Sequence, residues 1–227
     1  MMKKEMKKDP KVLFKLEGLK KGCFVQRFNR FAGEIEYNGK IESAHIHDPG
    51  RLEELLSEGV EVLFTNSNGK LKYYIKAVKK KGEWVLLDSA LHSKIALKVF
   101  KHLPEFSSIE NIRKEVPLGN SRIDFLLDGT PLEVKGVSLV KNKVAFFPDA
   151  PTKRGQRHVR EIIEHDGILL FLILRSATEF VPNAATDPEF TQLLSEARKQ
   201  EIPIIPVQIS FDGNNICYEG KIRLGVF

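Results

Sequence analysis

The residue types best suited to chemistry in this 227-residue chain are gathered in Ser121-Arg-Ile-Asp-Phe-Leu-Leu-Asp-Gly-Thr-Pro-Leu-Glu-Val-Lys135. Asp128-Gly129 between apolar runs predicts a two-residue type I′ hairpin, whose turn needs φ > 0 at both centres. With that turn, Leu127 faces Thr130 and Asp124 faces Glu133. Glu133 and Lys135, two apart, share a face of their strand. The register therefore gathers Asp124, Glu133 and Lys135 on one face. Directly opposed like charges destabilise a sheet. Here the neighbours Ile123, Phe125, Leu132 and Val134 are apolar, which suggests a cation between the acids. An oxygen-rich, sulfur-free donor set points to Mg2+ or Mn2+ before zinc. The ordinary alternative is a solvated hairpin face on which Lys135 relieves two acids.

The elements that must position these residues belong to a chain of globular make-up. Its length allows one large domain or two small ones. Hydrophobic residues are 42% of it, enough for a packed core. No apolar run approaches the ~20 residues that span a bilayer. The lysine-rich start lacks the apolar segment of a signal peptide, so a cytoplasmic protein is expected. Cys23 and Cys217 form no CxxC or Cys/His cluster and read as reduced core residues rather than zinc ligands. The net charge is +6 and the pI about 9.2. Eight lysines in the first 21 residues, against Glu5, Asp9 and Glu17, contribute +5. The basicity is thus partly a tail effect and a modest argument for a nucleic-acid partner.

From Phe24 to Val78 the pattern is strands and tight turns. Gly33–Tyr37 alternates, Asn38-Gly39 turns and Lys40–Ile46 returns, while Val60–Phe64 and Leu71–Ile75 flank a second turn at Asn68-Gly69. Asp48–Leu56 reads as a short helix with Leu52, Leu55 and Leu56 on one side. Four or five strands with one inserted helix suit a small Greek-key barrel of the oligonucleotide-binding (OB) type, over residues 1–83 including the basic tail. Such barrels bind single strands through aromatics that stack on bases and cations that meet phosphates. Phe24, Arg27, Phe28, Arg30 and Phe31 mix both kinds, and Lys70, Lys72 and Lys76 add charge. Read conservatively, the alternate aromatics are core and the cations face solvent. His45, His47 and Asp48 read as turn or cap residues, because no second ligand pair at fixed spacing accompanies them.

After Trp84 the character changes. Asp88 or Ser89 caps a predicted helix carrying Leu91, Ile95, Val99 and Phe100, which Pro104 stops. Strands come next at Ile109–Val116, around Asp124 and around Glu133, the last running on through Leu139-Val140. A second helix is capped by Thr152 and ends at Asp166-Gly167. Val159, Ile162 and Ile163 form one face, and Lys153, Arg154, Gln156, Arg157 and Arg160 the others. Ile168–Leu174 is a continuous apolar strand buried on both faces. Asp187-Pro188 opens a third helix, and Pro203–Ile209 is a strand before a hairpin near Asp212-Gly213. The fold class expected is α+β: the barrel, then an α/β domain over residues 84–227 with a mixed sheet flanked by helices. Its order of elements, with an acid on the middle strand and Glu-x-Lys on the next, resembles the PD-(D/E)xK nucleases.

Four motifs carry a closer resemblance: Ala44-His-Ile-His-Asp-Pro-Gly-Arg51, Asn120-Ser-Arg-Ile-Asp-Phe-Leu-Leu127, Glu133-Val-Lys-Gly-Val-Ser-Leu139 and Phe147-Pro-Asp-Ala-Pro-Thr-Lys-Arg-Gly-Gln-Arg-His158. In order and spacing they resemble the sugar fermentation stimulation protein (SfsA) family, from about Phe24 to the end. The resemblance implies an OB-like barrel joined to a PD-(D/E)xK nuclease-like domain, DNA binding, and an association with regulation of sugar metabolism genes. Arg51 and Arg122, inside the first two motifs, join Arg27 and Arg30 as expected DNA contacts. One departure is that many such nucleases carry an acid on the first core helix. Here the inward positions of 88–102 are apolar or basic, and Glu115 on the preceding strand is the substitute, or a surface partner of Arg113 or Lys114.

The implied chemistry is phosphodiester hydrolysis. Asp124 and Glu133, with a backbone carbonyl near Val134, would hold Mg2+ or Mn2+, and Lys135 would orient water or oppose developing charge. Lys153, Arg154, Gln156 and Arg157 open a helix whose free N–H groups suit a phosphate, with Asp149 just before it. The competing expectation is a DNA-binding regulator without catalysis on the same scaffold. A weaker third is an enzyme acting on RNA or a small phosphorylated ligand.

Overall fold

In the computed structural model, residues 10–227 are described, and the lysine-rich segment before them lies outside the described residues. The first elements are β1 (Lys11–Lys15), β2 (Lys20–Asn29), β3 (Ala32–Tyr37), β4 (Lys40–Ile46), β5 (Glu61–Asn66), β6 (Tyr73–Lys80) and β7 (Glu83–Leu86). A short 3-10 turn leads into α1 (His92–Phe100). Then come β8 (Ile112–Leu118), β9 (Ser121–Leu127), β10 (Thr130–Val137), β11 (Leu139–Lys141), β12 (Val144–Phe147) and α2 (Lys153–Glu164). β13 (Ile168–Ile173), β14 (Glu179–Pro182), α3 (Pro188–Lys199), β15 (Ile204–Phe211), β16 (Asn215–Lys221) and β17 (Arg223–Leu224) complete the chain.

Strands β2 to β6 form the expected closed barrel, in the order β4-β3-β2-β5-β6, closed by a parallel β4–β6 pairing. Closure leaves no free strand edge. Alternate residues point inward, so Phe24, Ile35, Ala44, Ile46, Val62, Phe64 and Ile75 fill it. Asn38-Gly39 turns as predicted, with φ of 52° and 71°. Asn68-Gly69 does not: the strands end at Asn66 and restart at Tyr73, leaving a loop in which Ser67 Oγ accepts the Gly69 N–H.

The helix expected at Asp48–Leu56 is also absent; one turn at Leu52–Leu56 replaces it. The reason is visible in Arg27. Its guanidinium takes the carbonyls of Asp48, Gly50 and Arg51, which a helix would use internally. Leu52 turns left-handed at φ 55° and, with Leu55, is buried in the barrel core. β1, in the stretch read as a basic tail before the barrel, is a strand and pairs with β16 of the C-terminal half.

The barrel continues into one large sheet through β7, which pairs with β6 and with β15, and the path runs on through β13, β10 and β9 to β8. β13 lies between parallel β10 and β15. Its alternation splits two cores: Leu170 and Leu172 face the α1 side with Ile95 and Val99, while Leu169, Phe171 and Ile173 face the α2 and α3 side with Val159, Ile162, Phe190 and Leu194. Each such side chain contributes roughly 1.5–3 kcal/mol on burial. The strand expected to run from Glu133 through Val140 breaks after Val137. β11 there starts a second, four-stranded sheet, β11-β12-β14-β17, whose short strands carried no clear period in the sequence.

Candidate functional site

The Asp128-Gly129 hairpin forms as the residue types require, with φ of 46° and 94°. Its pairs are Thr130 with Leu127, Pro131 with Leu126 and Leu132 with Phe125, which puts Asp124 across from Glu133. On the other side, Lys114 pairs with Phe125 and Val116 with Ile123, which puts Glu115 across from Asp124. Three acids therefore stand in one row across β8, β9 and β10. Beyond Leu132 the β9–β10 ladder opens. The Asp124 carboxylate replaces the missing backbone acceptor, taking the Val134 N–H at 2.7 Å, while the Asp124 N–H approaches Glu133 Oε2 at 3.4 Å.

Glu133 is 3% exposed. A buried carboxylate needs partners, and besides the Asp124 N–H it has two side chains. Lys135 Nζ, two residues along the same face, donates at 2.5 Å, and His158 Nδ1 from α2 contacts the same oxygen. Burial alone would raise its pKa, but Lys135 and then His158 bring it down to about 2. Among the described residues Asp124 has no such cation in contact. Burial and then the charge of Glu133 push it up to about 7.

Helix α2 supplies the third wall. Thr152 caps it by accepting the Gly155 N–H. Asp187, the cap of α3, accepts Thr152 N–H at 2.9 Å and Gln156 Nε2 at 2.8 Å, fixing where α2 begins. Arg154 Nε donates to His158 Nε2 at 3.3 Å, one turn on. That leaves His158 Nδ1 as the protonated nitrogen facing Glu133.

These elements and the barrel enclose a cleft of about 780 Å³. Glu115, Asp124, Glu133, Lys135, Lys153, Arg154 and Arg30 all line it, as do His47 and Asp149. Asp149 ties the walls together by accepting the Arg51 N–H at 2.9 Å. Asp48, half-buried beside Gly50, has its pKa raised to about 6, by desolvation first.

Two residues expected to contact DNA are otherwise engaged. Gln156 is 3% exposed and spends its amide on Asp187. Arg27 donates to five backbone carbonyls, those of Asn29, Arg30, Asp48, Gly50 and Arg51. It is the frame of the loop. Arg51 and Arg122 are exposed, the latter donating to Glu115 O, and exposed Arg157 donates to Ser121 Oγ.

Two histidines join the site without having been expected there. His158 ends the fourth sequence motif, and its place four residues after Arg154 on the strand-facing side of α2 is the signal that could have found it. His92, at the start of α1, packs its ring where a Gly136 side chain would stand, so that a Cβ there would fall 2.1 Å from His92 Cε1. Its Nε2 is shielded and has no hydrogen-bond partner among the described residues, and burial lowers its pKa to about 4. Only the glycine after Lys135 marks that space in the sequence. Among the described residues a further carboxylate–histidine group, Glu161, Glu164 and His165, lies at the far end of α2, largely exposed.

Comparison with known proteins agrees with this architecture. The family model for the SfsA N-terminal OB domain matches residues 25–87, and that for the sugar fermentation stimulation protein RE domain matches residues 90–215. A sugar fermentation stimulation protein homolog of Saccharolobus solfataricus is 40% identical over 92% of this chain and 86% of its own length. The Thermosipho melanesiensis homolog is 37% identical over 93% and 97%. The structure of Pyrococcus furiosus SfsA in complex with Ca2+ superposes with a TM-score of 0.89 at 28% identity, covering 95% of this chain and 99% of that one. With both domain models matched in order and relatives similar over nearly their whole length, the chain belongs to the sugar fermentation stimulation protein family.

Proposed function

We propose that this chain binds DNA and hydrolyses its phosphodiester bonds at the Asp124–Glu133–Lys135 site with Mg2+ or Mn2+. The observation that carries the reading is a buried and a half-buried carboxylate facing each other across a strand pair, the second, Asp124, without a cation in contact among the described residues. The donors fit a hard divalent ion: they are oxygens only, and the exposed Glu115 lines the same cleft. Ca2+ in the Pyrococcus furiosus relative supports a divalent site in the family.

An ion held by Asp124 and Glu133 would acidify a water and polarise a phosphate oxygen. The remaining work falls to side chains. Lys135, beside Glu133, opposes charge that builds on the non-bridging oxygens. His158 orients Glu133 and, with Lys135, keeps it ionised. Lys153 and Arg154 in the first turn of α2, with Arg30 across the cleft, meet flanking phosphates.

The test is cleavage of labelled DNA in Mg2+ or Mn2+ by the wild type, Glu133→Gln and Lys135→Ala. Each substitution is expected to lower cleavage by about 10²–10³-fold with DNA affinity retained. A non-catalytic regulator is the second reading, favoured because α1 brings no carboxylate to the cleft, only Ser93 and His92. Absence of cutting on every DNA form, with unchanged binding in all three proteins, would select it.

A further inference from the structure

The depth of the acid row and the make-up of the cleft around it bear on what form of DNA reaches it. Glu133 is 3% exposed, and the Lys135 side chain 13%. They lie between the barrel wall, with Arg30, His47 and Pro49, and the α2 wall, with Lys153 and Arg154. At about 780 Å³ the cleft falls in the roughly 300–1,000 Å³ range of sites for small molecules. A DNA duplex is stiff over about 150 base pairs and cannot follow a path down between two walls. An unpaired strand turns at each nucleotide and can.

Two further features point the same way. The cleft has an apolar side that a backbone phosphate does not need: Leu139 and Phe146, paired across β11 and β12, present a platform beside Phe147. On the barrel rim, Phe28 and Phe31 are 54% and 50% exposed, flanking Arg30 at the β2–β3 turn. Arg27 holds that turn rigid by bonding the Asn29 and Arg30 carbonyls. Exposed rings alternating with a cation on a fixed turn suit unpaired bases, whose faces stack on aromatics while phosphates meet the arginine.

We infer that the strand entering this site is unpaired DNA, a single strand or the single-stranded tail of a duplex, with bases stacked on Phe28 and Phe31 at the rim and on the Leu139–Phe146 platform within. The inference deepens the reading of Asp124, Glu133 and Lys135 as a phosphodiester site and rests on that reading for the cleavage step.

Binding and cleavage are separated by experiment. Affinity of the full chain is measured by fluorescence anisotropy with chelator present, so that no cleavage occurs, for one labelled sequence as single strand, as blunt duplex and as duplex with a single-stranded tail. Wild type, the double variant Phe28→Ala/Phe31→Ala and Phe146→Leu are compared, and the same substrates are then given Mn2+. The single strand and tailed duplex should bind at least about tenfold tighter than the blunt duplex. Each lost ring should weaken single-strand binding about five- to a hundredfold and leave duplex binding within about twofold. The rim rings are exposed, so their loss leaves the fold intact, as a thermal melt will report. Equal affinity for duplex and single strand, or no loss in the ring variants, overturns the inference even if DNA is cut. Ring-dependent single-strand binding without cutting in Mn2+ keeps the inference and removes the nuclease reading instead.

Discussion

Glu133 is ionised at neutral pH because Lys135 and His158 share its buried oxygen, while Asp124, one strand away, has neither. The asymmetry sets a pH dependence whose sign is definite. A carboxyl whose folded pKa is raised, here to about 7, binds its proton more tightly in the folded chain. Stability tied to it is therefore present at low pH and lost as pH rises toward 7. A divalent ion at Asp124 must displace that proton below pH 7. Its affinity should fall by up to about tenfold per pH unit there, and thermal stabilisation by Mg2+ should be larger at about pH 8 than at about pH 5; isothermal titration and melts check both. His158→Ala removes the group that orients Glu133. It should cut metal affinity or cleavage by about 10–100-fold, with DNA affinity in chelator unchanged. The pairing of Asp124 with Glu133 was readable from sequence because Asp-Gly and period-2 alternation are local signals. The roles of His158 and His92 were not, because each depends on a helix packing onto a strand distant in sequence.

At the level of elements, most of the turns, caps and apolar periods that act locally were legible, the Asn68-Gly69 turn being the exception. The Asp128-Gly129 hairpin, Thr152 and Asp187 as caps and the doubly buried Ile168 strand all form as the residue types require. Asp48–Leu56 was not legible, since its helical spacing is overruled by a side chain from β2. Arg27→Ala removes a charged donor from five carbonyls and should cost about 2–3 kcal/mol, measured by denaturant unfolding. Arg27→Lys restores little, because an ammonium cannot reproduce the guanidinium fork. The two ends of α2's basic run should behave oppositely. Gln156→Ala disrupts the Asp187 anchor and lowers stability while leaving the salt dependence of DNA binding alone. Lys153→Ala, exposed and paired with Glu189, should lower the salt slope by about one.

Across the whole molecule, the two family-matched regions share one sheet. β7 joins barrel to domain by pairing with β6 and β15, and β1 crosses back to β16. The chain should consequently unfold in a single calorimetric transition rather than two; two resolved transitions would mean the barrel and the domain melt independently. The sequence by itself determined the Asn38-Gly39 and Asp128-Gly129 turns, which strand is buried on both faces, and that Asp124, Glu133 and Lys135 share a face, because each is a consequence of backbone geometry within a few residues. Only the tertiary structure decided that Glu115 stands in the same row, that Gln156 and Arg27 are internal props, that His158 shares Glu133's oxygen, and that the barrel forms one wall of the cleft. Those outcomes depend on parallel pairing and helix-on-sheet packing between residues far apart in the chain, where several partners satisfy the same local pattern and burial selects among them.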